Sequence, residues 1–333
     1  MAWNHGFMIT VVMIFQIVSG IIIAMFFTPT IYSAYQSIVL IIKEKYTGWM
    51  LYNTHTYGAS FVFFFVYMHI FRGLYHSSYL YNSNLWISGC LLYVLLMAVG
   101  FMGYVLAWGE MSYWGATVIT NLLSPVPNFL EWACGTIGTV GDATLKRFFV
   151  FHFLLGLIVL VGMVLHFFYL HSFSSSSPLG HMKSNTSISF LPYSLIKDYF
   201  GLLVFGIVYY LQCFTTVSTL THPDNTIEAS GIVTPLHIVP EWYFLFFYGI
   251  LKCVPNKNSG FLLMILSIVL PFIYVTPRKM MSVAIARITM SKPAHYIIMF
   301  CILTIIGGLL PSDFVISYTR VIMLFFLLEH IYL

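Results

Sequence analysis

Charge is what this chain has least of: Asp, Glu, Lys and Arg together make up 7% of its 333 residues. With 60% hydrophobic residues and a mean hydropathy of +0.91, no polar stretch is long enough to build a separate soluble domain. The solvent for most of the surface must therefore be lipid. A net charge of +4, scattered along the chain, excludes a nucleic-acid-binding face. The cysteines, Cys90, Cys134, Cys213, Cys253 and Cys301, stand far apart, so they form neither a zinc nor an iron–sulfur cluster, and the absence of CxxCH excludes a thioether-linked cofactor. No GxGxxG opens a helix, which leaves no nicotinamide or flavin fold. Neither a basic n-region nor an arginine-rich presequence precedes WNHGF, so insertion is expected to rely on the first apolar helix.

What is present is a set of apolar spans near 6–27, 49–74, 85–106, 148–171, 197–219, 260–276, 295–311 and 317–332, which predicts an all-α integral membrane protein of about eight transmembrane helices. Two long connections, near 107–147 and 220–259, are rich in Pro, Gly and Trp, and fall on one side of the membrane. Long ordered loops in a compact membrane protein usually carry function. The first is expected to hold short helices at Ser112–Leu123 and Phe129–Cys134.

The second span carries His55 and His69, and the fourth His152 and His166, each pair fourteen residues apart. On an α-helix that spacing returns to within about 40° of one face and rises about 21 Å. With one helix between them the two spans run parallel, which predicts His55 opposite His152 and His69 opposite His166. Two helices that each offer an imidazole at two matching levels can clamp two flat metal cofactors, for which haems with bis-histidine ligation are the candidates. The competing reading of any one such histidine is a hydrogen-bonded core residue; ionisable groups inside a membrane and duplicated spacing favour the functional one. Gly6 and Gly20 in the first span, and Gly89 and Gly103 in the third, are also fourteen apart and fall at the same two levels. A missing side chain there lets a macrocycle press against backbone; ordinary small-residue helix packing is the alternative.

The second long loop contains Pro240-Glu241-Trp242-Tyr243, followed by Phe244 and Tyr248. A carboxylate in such apolar company should have a raised pKa, which suits proton transfer from a weak acid. The alternative is a glutamate at the headgroup level flanked by belt aromatics. Basic residues divide seven to seven between the two faces, so charge does not orient the chain, although the cluster within 278–292 favours the face without the long loops as the cytoplasmic or matrix side.

These residues resemble a known family, the cytochrome b subunits of respiratory ubiquinol–cytochrome c oxidoreductase (complex III), over essentially the whole chain. The matching blocks are WNHGF…Q…G…AM at 3–25, HTYGAS and HIFRGLY within 55–75, GYVLAWGEMSYWGATVITNLLS at 103–124, RFFVFHF at 147–153, LHSFSSSSPLG at 170–180, IKD at 196–198, HPDN at 222–225 and PEWYFLFFY at 240–248. The resemblance implies two domains, a di-haem four-helix bundle over 1–196 and a four-helix region over 197–333 that bears the PEWY loop. It implies two non-covalent b-type haems, the low-potential one on His55 and His152 near the outer face and the high-potential one on His69 and His166 near the matrix face, with Arg72 on a propionate. Ubiquinol would be oxidised in a pocket of Glu241, Tyr248, Tyr243 and Phe244 roofed by Gly115, and quinone reduced near His171, Lys197 and Asp198. A Rieske iron–sulfur protein, a c-type cytochrome, other complex III subunits and a second copy of the complex are the implied partners, in the mitochondrial inner membrane. The chain departs from the family at Tyr52, where an arginine is usual, at Ala107, usually proline, and at Glu110, usually glutamine; these bear on the low-potential haem and on the oxidation pocket. Two other readings, a ferric-reductase or NADPH-oxidase-like haem protein and a proton-coupled transporter, respectively need a nucleotide domain and inverted repeats that the sequence lacks.

Overall fold

The computed structural model describes residues 4–124, 126–135, 138–173, 175, 188–215, 220–273 and 291–331. Most of the basic cluster within 278–292 and much of 170–180 lie outside them. Among the described residues there are helices and no strands.

Five helices are long and apolar enough to cross a membrane: His5–Ala24, Gly48–Tyr75, Ser83–Leu106, Asp142–Ser172 and Phe190–Thr215. In chain order we name α1 (His5–Ala24), α2 (Ala34–Glu44), α3 (Gly48–Tyr75), α4 (Ser83–Leu106), α5 (Glu110–Leu122), α6 (Phe129–Cys134), α7 (Asp142–Phe173), α8 (Leu195–Thr215), α9 (Leu245–Cys253), α10 (Lys257–Ile273), α11 (Ser291–Gly307) and α12 (Asp313–Ile331). The expected first five spans are found. The last three expected spans fall on α10, α11 and α12, of 17, 17 and 19 residues. The sequence reading did not anticipate two elements. One is α2, which buries Ala34, Ser37, Ile38 and Ile41, the i, i+3, i+4, i+7 stripe of an amphipathic helix. The other is α9, the nine-residue helix that follows the PEWY segment.

α4 lies along α7 and α1 along α3, while α1 also touches α7 and α8. α4 starts at a true N-cap, where the Asn82 side chain accepts from the Leu85 N–H at 3.0 Å. The C-terminal helices gather around α9, and Lys252 Nζ donates to the carbonyls of Gly307 and Leu309 at 3.0 and 2.8 Å, satisfying carbonyls left over at the end of α11.

The two long loops are stitched to one another. Glu110 N–H donates to the Ile227 carbonyl at 3.0 Å, Ala229 N–H to the Trp108 carbonyl at 3.1 Å, and the Ser112 N–H to Asn225 Oδ1 at 2.9 Å, while the Ser112 hydroxyl donates to the Tyr104 carbonyl at 2.7 Å. α2 joins them through Tyr35, whose hydroxyl donates to the Thr226 carbonyl, and Gln36, whose amide reaches Glu228 at 2.9 Å. The result is a layer that ties the two loops and α2 together at one end of the helices.

Candidate redox and quinone sites

The four histidines meet in the pairs that their spacing predicts. His55 and His152 face each other with ring centres 6.1 Å apart and planes at 84°; His69 and His166 do so at 6.4 Å and 68°. An imidazole nitrogen lies about 1.1 Å from its ring centre and a metal–imidazole bond is about 2.0 Å, so two rings on opposite sides of one metal have centres about 6.2 Å apart. Both pairs have about the ring separation that two imidazoles on one metal would have.

Hydrogen bonding selects the tautomer that ligation needs. Ser19 gives its single hydroxyl proton to the Phe15 carbonyl at 2.6 Å, so its oxygen accepts from His55 Nδ1–H at 3.0 Å. Ser88 donates to the Leu85 carbonyl at 2.9 Å and accepts from His166 Nδ1–H at 2.9 Å. The partner of His152 Nδ1 is the Val99 carbonyl, at 2.9 Å, which can only accept. In all three rings Nδ1 carries the proton and Nε2 keeps its lone pair, the arrangement that orients a metal-bound histidine. His69 differs: its Nδ1 lies 3.3 Å from Nη2 of Arg72, which has only protons to offer.

The glycines fall into the same register. A Cβ on Gly20 would come within 2.9 Å of His55 Cε1, on Gly103 within 2.5 Å of His152, on Gly89 within 3.1 Å of His166 and on Gly6 within 3.7 Å of His69. These contacts put α1 antiparallel to α3 and α4 antiparallel to α7. The glycines leave room for the imidazole edges. The serine partners were missed, yet a signal existed: Ser19-Gly20 and Ser88-Gly89 repeat one dipeptide, hydroxyl for Nδ1 and then space for the ring.

At the loop end, His55 and His152 line a predominantly apolar cavity of about 220 Å³ that also reaches Tyr52, Tyr104, Glu241 and Tyr243. Glu241 Oε1 and Tyr104 Oη are both buried and lie near one another, and among the described residues neither completes a hydrogen bond of full geometry. Burial raises the Glu241 carboxyl to about 7, against the opposing pull of the Tyr104 side chain and the His222 main chain. Trp242 and Tyr243 are not belt aromatics. Trp242 donates to Ser60 Oγ at 3.3 Å, and Tyr243 is 5% exposed with its ring stacked on Phe63. Among the described residues, Phe244, Tyr248 and Gly115 do not line this cavity; Tyr248 instead faces Lys252 Nζ, 5.2 Å from its ring centre, and nothing described lies within 4 Å of a Cβ on Gly115.

Of the three departures, Tyr52 and Ala107 line the cavity. Glu110 stands outside it as a clamp, with Oε1 accepting from the Ser230 N–H and hydroxyl at 3.0 and 2.7 Å and Oε2 from the Trp114 indole at 2.8 Å.

At the opposite end the three polar candidates are less closely assembled. Asp198 accepts from the Asn4 amide at 2.7 Å, tying α8 to the start of α1, whereas His171 and Lys197 are exposed.

A helical membrane fold with two opposed histidine pairs at two depths defines a class of transmembrane electron carrier, and the comparisons agree. Residues 1–174 match the family profile "Cytochrome b/b6/petB" and residues 228–327 match "Cytochrome b(C-terminal)/b6/petD". Cytochrome b of Plasmodium berghei is 42% identical over 330 residues, 97% of this chain and 87% of that protein; cytochrome b of Phytophthora megasperma is 45% identical over 272 residues, 80% and 71%. A solved chain of a hyperthermophilic respiratory complex III superposes with a TM-score of 0.93 at 26% identity, covering 99% of this chain and 90% of that one. The chain belongs to the cytochrome b family, the electron-transfer subunits of respiratory complex III.

Proposed function

We propose that this subunit carries a quinone cycle: it binds two b-type haems, on His55 with His152 and on His69 with His166, oxidises ubiquinol at the loop end and reduces quinone at the opposite end. The observation that carries the reading is the pair of facing imidazole couples, three of whose four rings have Nδ1–H committed to an acceptor. Bound haem supplies one-electron chemistry at two depths about 21 Å apart.

The chain's own residues bind the substrate and move its protons. Glu241, buried in the lining of the cavity that reaches His55, accepts a proton from a quinol hydroxyl, with Tyr243 and Tyr104 beside it in the same lining. The apolar walls exclude water and keep the carboxyl poised near neutrality. At the other end Asp198, held by Asn4, with His171 and Lys197, supplies the protons for reduction. His69 can offer Nε2 to a metal only if its ring proton moves from Nε2 to Nδ1 and the Arg72 guanidinium withdraws from Nδ1, where it would stand beside an anionic group such as a haem propionate.

The division into 1–196 and 197–333, the Rieske and c-type cytochrome partners, the dimeric complex and the mitochondrial inner membrane follow from the same reading. The test is a redox-titrated optical difference spectrum of the purified complex. Two b-type haems at separated potentials, one of them shifting with a quinone-reduction inhibitor, are expected; one haem or none overturns the reading. Glu241→Gln should slow quinol oxidation and leave both haem spectra intact.

A further inference from the structure

The turn that carries Glu241 is gripped by one face of α3. Ser60 accepts from the Trp242 indole at 3.3 Å; Phe63 stacks on the Tyr243 ring with centres 4.2 Å apart and planes at 5°; Tyr67 donates its hydroxyl to the Tyr243 carbonyl. Positions 60, 63 and 67 follow the i, i+3, i+7 stripe of a helix, so all three reach the same short 3₁₀ turn, Trp242–Phe244. That turn closes on Glu241 itself, whose carbonyl accepts from the Phe244 N–H at 2.9 Å.

Two further contacts serve the same grip. Tyr93 on α4 gives its hydroxyl proton to Tyr67 Oη at 3.4 Å, so Tyr67's own proton remains for the Tyr243 carbonyl. Tyr67 and Tyr93 are 5% and 7% exposed, which leaves water no access to replace these bonds. Opposite Phe63, a Cβ on Gly100 would lie 2.9 Å from the ring, so this glycine is what lets Phe63 sit flat on Tyr243.

We propose that Ser60, Phe63 and Tyr67 form a three-point mount that sets the Glu241 carboxyl at a fixed depth relative to His55, with Tyr67 as a positioning residue for quinol oxidation. The mount rests on the reading of Glu241 as the proton acceptor and adds how its place is held. α3 carries the mount and both its histidines, so the depth of the turn is fixed by the helix that also sets the two metal levels. Proton transfer is sensitive to such placement, because a displacement of about 1 Å can cost up to about a hundredfold in rate.

The experiment compares the unmodified complex with Tyr67→Phe and Gly100→Ala, measuring quinol oxidation per haem, its KM, haem content and both haem spectra. Tyr67→Phe removes the hydrogen bond to the turn, and Gly100→Ala pushes Phe63 off Tyr243. The expected result in both is a fall in kcat per haem of roughly tenfold, larger than any change in KM, with haem content and spectra unchanged. Unaltered kcat per haem in Tyr67→Phe overturns the mount, as does a loss of activity that merely tracks loss of haem. If Tyr67→Phe does not assemble, Gly100→Ala decides on the same criteria. Absence of quinol oxidation in the unmodified complex overturns both the functional reading and the mount, whereas activity there with an unaffected variant overturns the mount alone.

Discussion

A β-carbon on Gly103 would stand 2.5 Å from Cε1 of His152, closer than any real side chain tolerates, while one on Gly6 would stand at an ordinary 3.7 Å from His69. The two glycines belong to one fourteen-residue pattern, yet the structure makes them unequal. Gly103→Ala should therefore displace the His152 ring and remove the haem of the loop-end pair, with the other retained. Gly6→Ala should retain both. Haem content by optical difference spectroscopy checks this, and equal behaviour of the two variants contradicts it.

Ser19 orients His55 through an oxygen whose own proton is already committed to Phe15. In Ser19→Ala the imidazole loses the acceptor that holds Nδ1–H, and outer partners of this kind typically change metal affinity by about 10–100-fold. A weaker haem at the His55 level and a shifted midpoint potential are expected, with the His69 level unaffected. Loss of the His69-level signal instead would show that Ser19 acts on packing.

Glu241 supplies a pH dependence whose sign can be worked out. Burial lifts its pKa to about 7 from an ordinary value near 4.5. Below about 7 the carboxyl holds its own proton and cannot take one from quinol; above it the carboxylate can. Quinol oxidation should rise with pH through this value, and Glu241→Gln should be slow and lack that inflection. A Gln variant with the same inflection would assign it to another group.

Glu110 presents both oxygens as acceptors, to Ser230 on one side and Trp114 on the other. Although burial acts in the opposite direction, these hydrogen bonds hold its carboxyl below the usual glutamate range, so the clamp is complete at neutral pH and is lost as pH falls through that lowered value. Glutamine, with one acceptor oxygen, can satisfy only one side, at a cost of about 1 kcal/mol. Faster amide exchange around 225–231 in Glu110→Gln, with both haems retained, is the expected outcome, and unchanged exchange contradicts the clamp.

The pairing of the histidines was legible in the chain because a helix converts spacing directly into angle and rise: fourteen residues return to one face, and a single intervening helix makes the two carriers parallel. The apolar spans were legible for a related reason, since lipid forces each segment to satisfy its own backbone and so stamps its length on the sequence. The carboxylate in apolar company was also visible locally, and its raised pKa followed from burial.

What the chain could not disclose lies between segments distant in sequence. That Tyr67 grips the carbonyl of Tyr243, 176 residues away, depends on how the second loop packs on α3. That Tyr104 lines the cavity with Glu241, while Phe244 packs behind its wall on Phe63, depends on how α4 and the second loop meet. Periodicity assigns residues to faces of their own helix; only packing decides which faces meet, because side-chain volume and hydrogen-bond valence have to be satisfied across helices at once.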